Sequence, residues 1–329
     1  MSISFSGGRV LNAGSPINPG SRAEGLMLNS RMVMAAAEDY DGNTGAWAYP
    51  GSGWSASRNL SEFINAIPTY KSYGLNMVTV GMMGGHPRFA CSDTASGNFS
   101  MFTSDGSLRP DAKDRLAQLI ARADAADLIV NVQYFYRTAN TQLSGESAVL
   151  RAVDQATAFL RSLNRDNILI EVMNESNEYH KHALLRPSNI DELIGRIHDA
   201  WPGSLVSVSM HAGSVYPADL SRAVDWSSLH GNAISASKLS TVIGRYRQFG
   251  KPIAITEDKW DDGGRSLDVA VNAGAGWGYY DQGCEETGRY AGSQAFYTHG
   301  FQSLPVNWGV NTSRKQAFFG QVRALTTAG

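Results

Sequence analysis

Ile168-Leu-Ile-Glu-Val-Met-Asn-Glu175 is an apolar run that stops abruptly on an amide and a carboxylate. A short apolar run of this length, followed by a helical pattern, reads as a buried strand with an acid at its tip. A second stretch, Pro252-Ile-Ala-Ile-Thr-Glu257, delivers another glutamate at the end of another short β-branched strand.

Outward from these two, strands are expected within 31–37, 76–80, 128–136, 168–174, 205–210, 227–232, 253–257 and 276–280. Helical patterns begin at Asn59 and recur at 110–126, 147–163, 188–201, 217–224, 238–249, 268–273 and 314–325. In 147–163, for example, Val149, Leu150, Val153, Ala156 and Leu160 share one face. Eight strands, each followed by a helix, imply parallel pairing with crossover helices. The expected fold class is α/β, a single (β/α)8 TIM barrel with long βα loops. No Gly-x-Gly-x-x-Gly follows the first strand, which argues against an open dinucleotide-binding sheet. No composition shift marks a second domain, so 1–329 reads as one catalytic domain. Residues 1–24, rich in Gly, Ser, Asn and Pro, read as an irregular lead-in.

Composition narrows the functional classes. A net charge of −2 offers no basic footprint, so nucleic acid is not an expected partner. No apolar run approaches the ~18 residues of a membrane span, so no membrane association is expected. The first residues lack a charged segment followed by an apolar one, so the chain is expected to be cytoplasmic, or secreted if a signal has been removed. Cys91 and Cys284 fit no metal or redox spacing, and whether they pair is open from sequence, as is oligomeric state.

Active sites of (β/α)8 barrels lie at the C-terminal ends of the strands. Glu175 would end strand four and Glu257 strand seven, on opposite sides of the mouth. Two carboxyl groups about 5–5.5 Å apart cleave a glycosidic bond with retention, whereas roughly 6.5–9.5 Å suits inversion.

Met173-Asn174-Glu175 after strand four, with Thr256-Glu257 after strand seven, resembles the clan A retaining glycoside hydrolases that include the cellulase-like family 5. The resemblance implies Glu175 as acid/base, Glu257 as nucleophile and Asn174 as the hydrogen-bond partner of the sugar 2-hydroxyl. It also implies Trp277, in Gly276-Trp-Gly-Tyr-Tyr280, as the floor of the subsite for the sugar being cleaved. The sequence departs from the family pattern twice. Strand two carries no arginine, and strand six has His230 and Asn232 where a tyrosine is common. Arg31 is a candidate to tune the nucleophile in the missing arginine's place.

Further candidates for substrate contact are His230, Tyr136 and Trp260, because sugars offer apolar C–H faces to aromatic rings. Trp47, Trp54, Tyr134 and Trp308 also fall in or beside loops, where packing explains them better than substrate contact. Glu171 shares strand parity with Glu175 and is expected to line the barrel or pair with a base. Glu178, Asp258, Glu285 and Glu286 are candidates for polar contacts around the cleft. His180-Lys-His182, His86 and His211 do not form the His-x-His of strand one that barrel metallohydrolases use, so no metal or other cofactor is expected.

The expected function is hydrolysis of a β-type glycosidic bond in an oligosaccharide or glycoside, with Glu175 and Glu257 carrying a double displacement. Transglycosylation by the same pair, a catalytically silent carbohydrate-binding barrel and a metal-dependent barrel hydrolase are the alternatives.

Overall fold

A parallel barrel forms where the sequence alternates apolar runs with amphipathic helices. The computed structural model describes residues 1–42, 47–49, 51–84, 97–137, 139–178, 180–211, 213–232, 234–281 and 300–329. His86, Cys91, Cys284, Glu285 and Glu286 lie outside them.

The N-terminal segment is not irregular. β1 (Ile3–Ser6), β2 (Arg9–Asn12) and β3 (Ser15–Pro16) make a small antiparallel sheet. Its Val10 joins Ile17, Met27, Met77, Ile129, Leu169, Trp226 and Ala254 in a separate apolar cluster. Those last residues start barrel strands, so the sheet plugs the N-terminal end of the barrel. Truncating a buried side chain in such a plug, Trp226 for instance, costs about 3–5 kcal/mol.

The barrel follows as β4 (Leu28–Arg31), β5 (Met77–Gly81), β6 (Ile129–Phe135), β7 (Ile168–Met173), β8 (Val206–Ser207) with β9 (Ser209–Met210), β10 (Ser227–His230), β11 (Ile253–Lys259) and β12 (Gly276–Tyr280). β8 and β9 are two halves of the fifth strand, interrupted at Val208. β8 pairs with β7 and β9 with β10, and β12 pairs with β4, which closes the ring.

The first barrel strand therefore lies earlier than 31–37. Met32–Ala37 is a buried run of turns, with Ala35 N donating to Met32 O and Ala37 N to Met34 O. The apolar run was misleading because Asn29 and Arg31, which point into the barrel, are polar.

Outside the barrel lie α1 (Ala56–Ser72), α2 (Pro110–Asp124), α3 (Glu146–Ser162), α4 (Ile190–Ala200), α5 (Ala218–Ala223), α6 (Ala236–Arg247), α7 (Arg265–Asn272) and α8 (Ser313–Thr326). Ser55 caps α1 by accepting from Arg58 N, and Thr312 caps α8 by accepting from Lys315 N. None of the described helices is long and apolar enough to cross a membrane.

Strand alternation sorts the barrel interior into tiers. The bottom tier is apolar, with Met27, Met77, Ile129, Leu169, Trp226 and Ala254. Two residues further along each strand, the tier becomes Asn29, Thr79, Asn131, Glu171, Ser228 and Thr256, all buried and joined by hydrogen bonds. Barrels of this type ordinarily fill that space with Val, Ile and Leu. Arg31, Gln133 and His230 begin the tier above, which opens on the mouth.

Candidate active site

Glu175 and Glu257 meet at the C-terminal mouth, as their strand ends require. One carboxylate oxygen of each and a ring nitrogen of His230 all lie within 4.8 Å of one another. His230 Nδ1 is 3.1 Å from Glu175 Oε1 and 3.7 Å from Glu257 Oε2. Both neighbours are acceptors, so Nδ1 carries a proton. The ring is fully buried, and its Nε2 has no hydrogen-bond partner among the described residues.

The geometry comes from local backbone features. β10 and β11 slip register between Leu229 and His230, which brings His230 opposite Glu257. A second irregularity, between Ile255 and Asp258 against β12, lets Glu257 turn to the mouth although Thr256 already faces inward. Glu175 adopts a left-handed backbone with φ 53°, uncommon for a residue with a Cβ. Ser209 Oγ accepts from Glu175 N at 2.9 Å, and Glu178 N and His180 Nε2 donate to its carbonyl. His180 thereby braces the Glu175 backbone. His182 Nε2 likewise lies 3.1 Å from the carbonyl of Asn140.

Each carboxylate has its own polar partners. Glu257 Oε2 is 3.0 Å from Arg31 Nε, and Glu257 Oε1 accepts from Asn232 Nδ2 at 2.5 Å. Glu175 Oε2 is 3.2 Å from Arg137 Nη1, and its Oε1 is 3.5 Å from His211 Nδ1. Arg137 and His211 also reach Glu178. Burial pushes the Glu175 carboxyl up, but the His230 hydrogen bond and the charges of His230, His211 and Arg137 outweigh it and bring the group down to about 2. Burial likewise works against charge on His230, and Glu257 and Glu175 together raise it. The Nδ1 hydrogen of His230 therefore lies between the two carboxylates. Burial opposes the charge of Arg31 too, and Glu257 leads the groups that keep it protonated.

Glu175, His230 and Glu257 have the donor atoms to hold a cation. The Glu257 oxygen nearest His230 is the one that already faces Arg31 Nε, so a metal ion there would have to displace a buried guanidinium.

Asn174 is buried beside the acid, and its Nδ2 has no partner among the described residues. Tyr136 sits just past β6, its ring centroid 5.7 Å from Arg31 Cζ. These two therefore stand at the mouth with Arg31 and His230.

Trp277 and Trp260 do not. Trp277 is fully buried and faces the helices, 5.9 Å from Phe318 of α8 and 6.0 Å from Trp260. Trp260 packs against Phe318 as well. The expectation of Trp277 as a subsite floor is corrected by strand parity. Gly276 and Gly278 point inward, where a Cβ would meet Met27 O and Asn29 Nδ2, so Trp277 between them must point out. Its Nε1 donates to Asp258 Oδ2 at 2.9 Å. Two residues past Gly278, Tyr280 has the inward parity and interacts with Arg31.

Asn232, Arg137, His211 and Gln133 complete the surroundings. Arg137 ends Tyr134-Phe-Tyr-Arg137 directly after β6 and His211 directly follows β9, so position after a strand tip was the usable signal. Tyr134 instead faces α3, its hydroxyl 3.1 Å from Thr157 Oγ1. Trp308 is buried, with Nε1 donating to Asn59 Oδ1.

No protein-family model matches the chain, and no curated protein matches it in sequence. Solved structures do match in fold. The β-mannanase of the blue mussel Mytilus edulis superposes with a TM-score of 0.60 at 12% identity, over 99% of this chain and 96% of that one. The Thermomonospora fusca β-mannanase in its mannotriose complex gives 0.60 at 13%, over 100% and 98%. A family 5 glycoside hydrolase from Bacteroides vulgatus gives 0.63 at 13%, over 98% and 70%. The fold is thus that of (β/α)8 glycoside hydrolases.

Proposed function

We propose that the protein is a retaining glycoside hydrolase acting on a β-linked sugar, with Glu257 as nucleophile and Glu175 as acid/base. The observation that carries this reading is the approach of the two carboxylates, with oxygens and the His230 nitrogen all within 4.8 Å. Carboxylates this close favour the short separation of retaining enzymes over the wider gap that admits a water for inversion.

In the first step a Glu257 oxygen bonds to the anomeric carbon as the bond to the leaving oxygen breaks. The proton comes from Glu175. In the ligand-free protein this proton resides on His230, and transfer across the 3.1 Å contact gives a carboxylic acid at Glu175 and a neutral imidazole. In the second step Glu175 takes a proton from water, whose oxygen displaces Glu257 from the anomeric carbon. Arg31 and Asn232 hold Glu257 aimed before attack, and stabilise it again as it leaves. The Asn174 amide, without a partner among the described residues, is the donor suited to the 2-hydroxyl.

β-Mannosides are the first substrates to test, because two of the matching structures are mannanases. The test is a panel of aryl β-glycosides with the first-formed anomer read by proton NMR. Release of the β-anomer before mutarotation supports the reading, and release of the α-anomer or no turnover across the panel contradicts it.

A further inference from the structure

We propose that Glu171, buried in the polar tier below the mouth, is a positioning residue that sets the orientation of Arg31 on Glu257. The inference deepens the reading of Glu257 as nucleophile and rests on it.

Glu171 is fully buried on β7 and touches neither candidate catalytic carboxylate. A buried carboxylate is costly unless paired and hydrogen-bonded. Here its two oxygens accept from two amides, Asn131 Nδ2 to Oε2 and Gln133 Nε2 to Oε1, each at 2.9 Å. Gln133 in turn accepts from Arg31 Nη2 through Oε1 at 3.3 Å, and Arg31 Nε faces Glu257 at 3.0 Å.

The polarity of this chain is dictated by its ends. A carboxylate only accepts and a guanidinium only donates, so the amide between them must turn its NH2 to Glu171 and its oxygen to Arg31. Without the carboxylate the amide is free to flip, and its NH2 would then face the guanidinium. The Arg31 fork is fully buried and its Nη1 lacks a hydrogen-bond partner among the described residues, so its rotation is set by the Nη2 and Nε contacts beside the Tyr136 ring. A second branch leaves Glu171 through Asn131 Nδ2 to Thr79 Oγ1, on to Asn29 Oδ1, and from Asn29 Nδ2 to the Thr256 carbonyl. It ends on the peptide immediately before Glu257. Both branches thus run from one buried charge to the nucleophile, one through the side chain that pairs with it and one through its backbone. The polar middle tier has this purpose in the fold.

The test is the exchange rate of the Arg31 Nε–H, followed by 1H–15N NMR in the ligand-free protein and assigned by loss of the signal in Arg31→Lys. In Glu171→Gln the rate is expected to rise at least tenfold, because Arg31 leaves its fixed contact with Glu257. Gln133→Met, which keeps the Glu171 charge but breaks the relay, is expected to do the same, and it decides the question if Glu171→Gln does not fold. In active protein Gln133→Met also moves the acid limb of kcat/KM upward by about one pH unit with KM within twofold. An unchanged Arg31 rate in a folded variant overturns the proposal. A wild type without glycosidase activity would remove the nucleophile reading, while the exchange rates would still decide whether Glu171 sets Arg31.

Discussion

Arg31 Nε stands 3.0 Å from Glu257 Oε2, joining the first barrel strand to the seventh, with β12 between them. Both side chains are nearly excluded from water, so salt screens the pair little. Removing one partner strands the other as a buried charge. Arg31→Met is therefore expected to lose about 3–5 kcal/mol of stability and on the order of 10²–10³-fold in kcat. Arg31→Lys keeps the charge without the fork and should fall between. Denaturant melts and initial rates on the same preparations check both effects.

Asn174 separates function from stability in the other direction. Its buried Nδ2 has no hydrogen-bond partner among the described residues, so Asn174→Ala gives up none there. The variant should melt no lower than wild type yet lose about 10²-fold in kcat/KM, the usual loss on removing one aimed donor. A large drop in Tm would show that the amide is structural.

Asp258 gives a pH signature. Burial pushes its carboxyl up to about 7, against donation from Trp277 and Lys259 N. A folded value above the unfolded one favours the protonated group in the native state. The contribution is fully present below about pH 4 and is lost as pH rises through about 7, amounting to a few kcal/mol. Asp258→Asn should remove this slope, leaving a pH-independent offset from the acceptor it gives up. Glu175 behaves oppositely. With its folded value near 2, its contribution is present above about pH 4.5 and is lost as pH falls toward 2. Thermal melts across pH 2–8 test both windows.

The two aromatics of β12 should divide by face. Trp277→Phe disturbs the packing with Trp260 and Phe318 and leaves Asp258 without the indole donor. Lower stability with KM within about twofold is expected, since the residue faces the helices. Tyr280→Ala, on the inward parity beside Arg31, should raise KM or lower kcat about tenfold or more, the scale of a lost stacking or polar contact. The reverse pattern would put Trp277 back at the sugar.

Periodicity made most of this architecture legible. Ile168–Met173, apolar but for Glu171, and Ile253–Thr256 are apolar or β-branched runs because their outer faces pack under helices, and such runs announce themselves. The first strand was misplaced for the complementary reason. Its Asn29 and Arg31 serve the interior network, so its pattern lacked the apolar signal, while the turns at Met32–Ala37 supplied a false one. The N-terminal sheet was hidden by its Gly- and Ser-rich turns. At the site, strand ends located Glu175, Glu257 and His230, since a tip residue faces the mouth whatever the loops do. Trp277 failed because one residue of parity decides the face, and only the crowding at Gly276 and Gly278 reveals it. Asn232 and His211 owe their place to a register slip and to a loop, and neither leaves a periodic trace.

The central claim, that Glu257 becomes covalently bound to the sugar, is tested most directly by trapping the intermediate. An activated 2-deoxy-2-fluoro β-glycoside of the preferred sugar slows both steps and lets the ester accumulate when the leaving group is good. Mass spectrometry of the intact protein should show one added glycosyl unit, and peptide mapping should put it on Glu257 within Ile253–Lys259. A label on Glu175, or turnover of the parent glycoside with no trapped species and the α-anomer released first, would contradict the account.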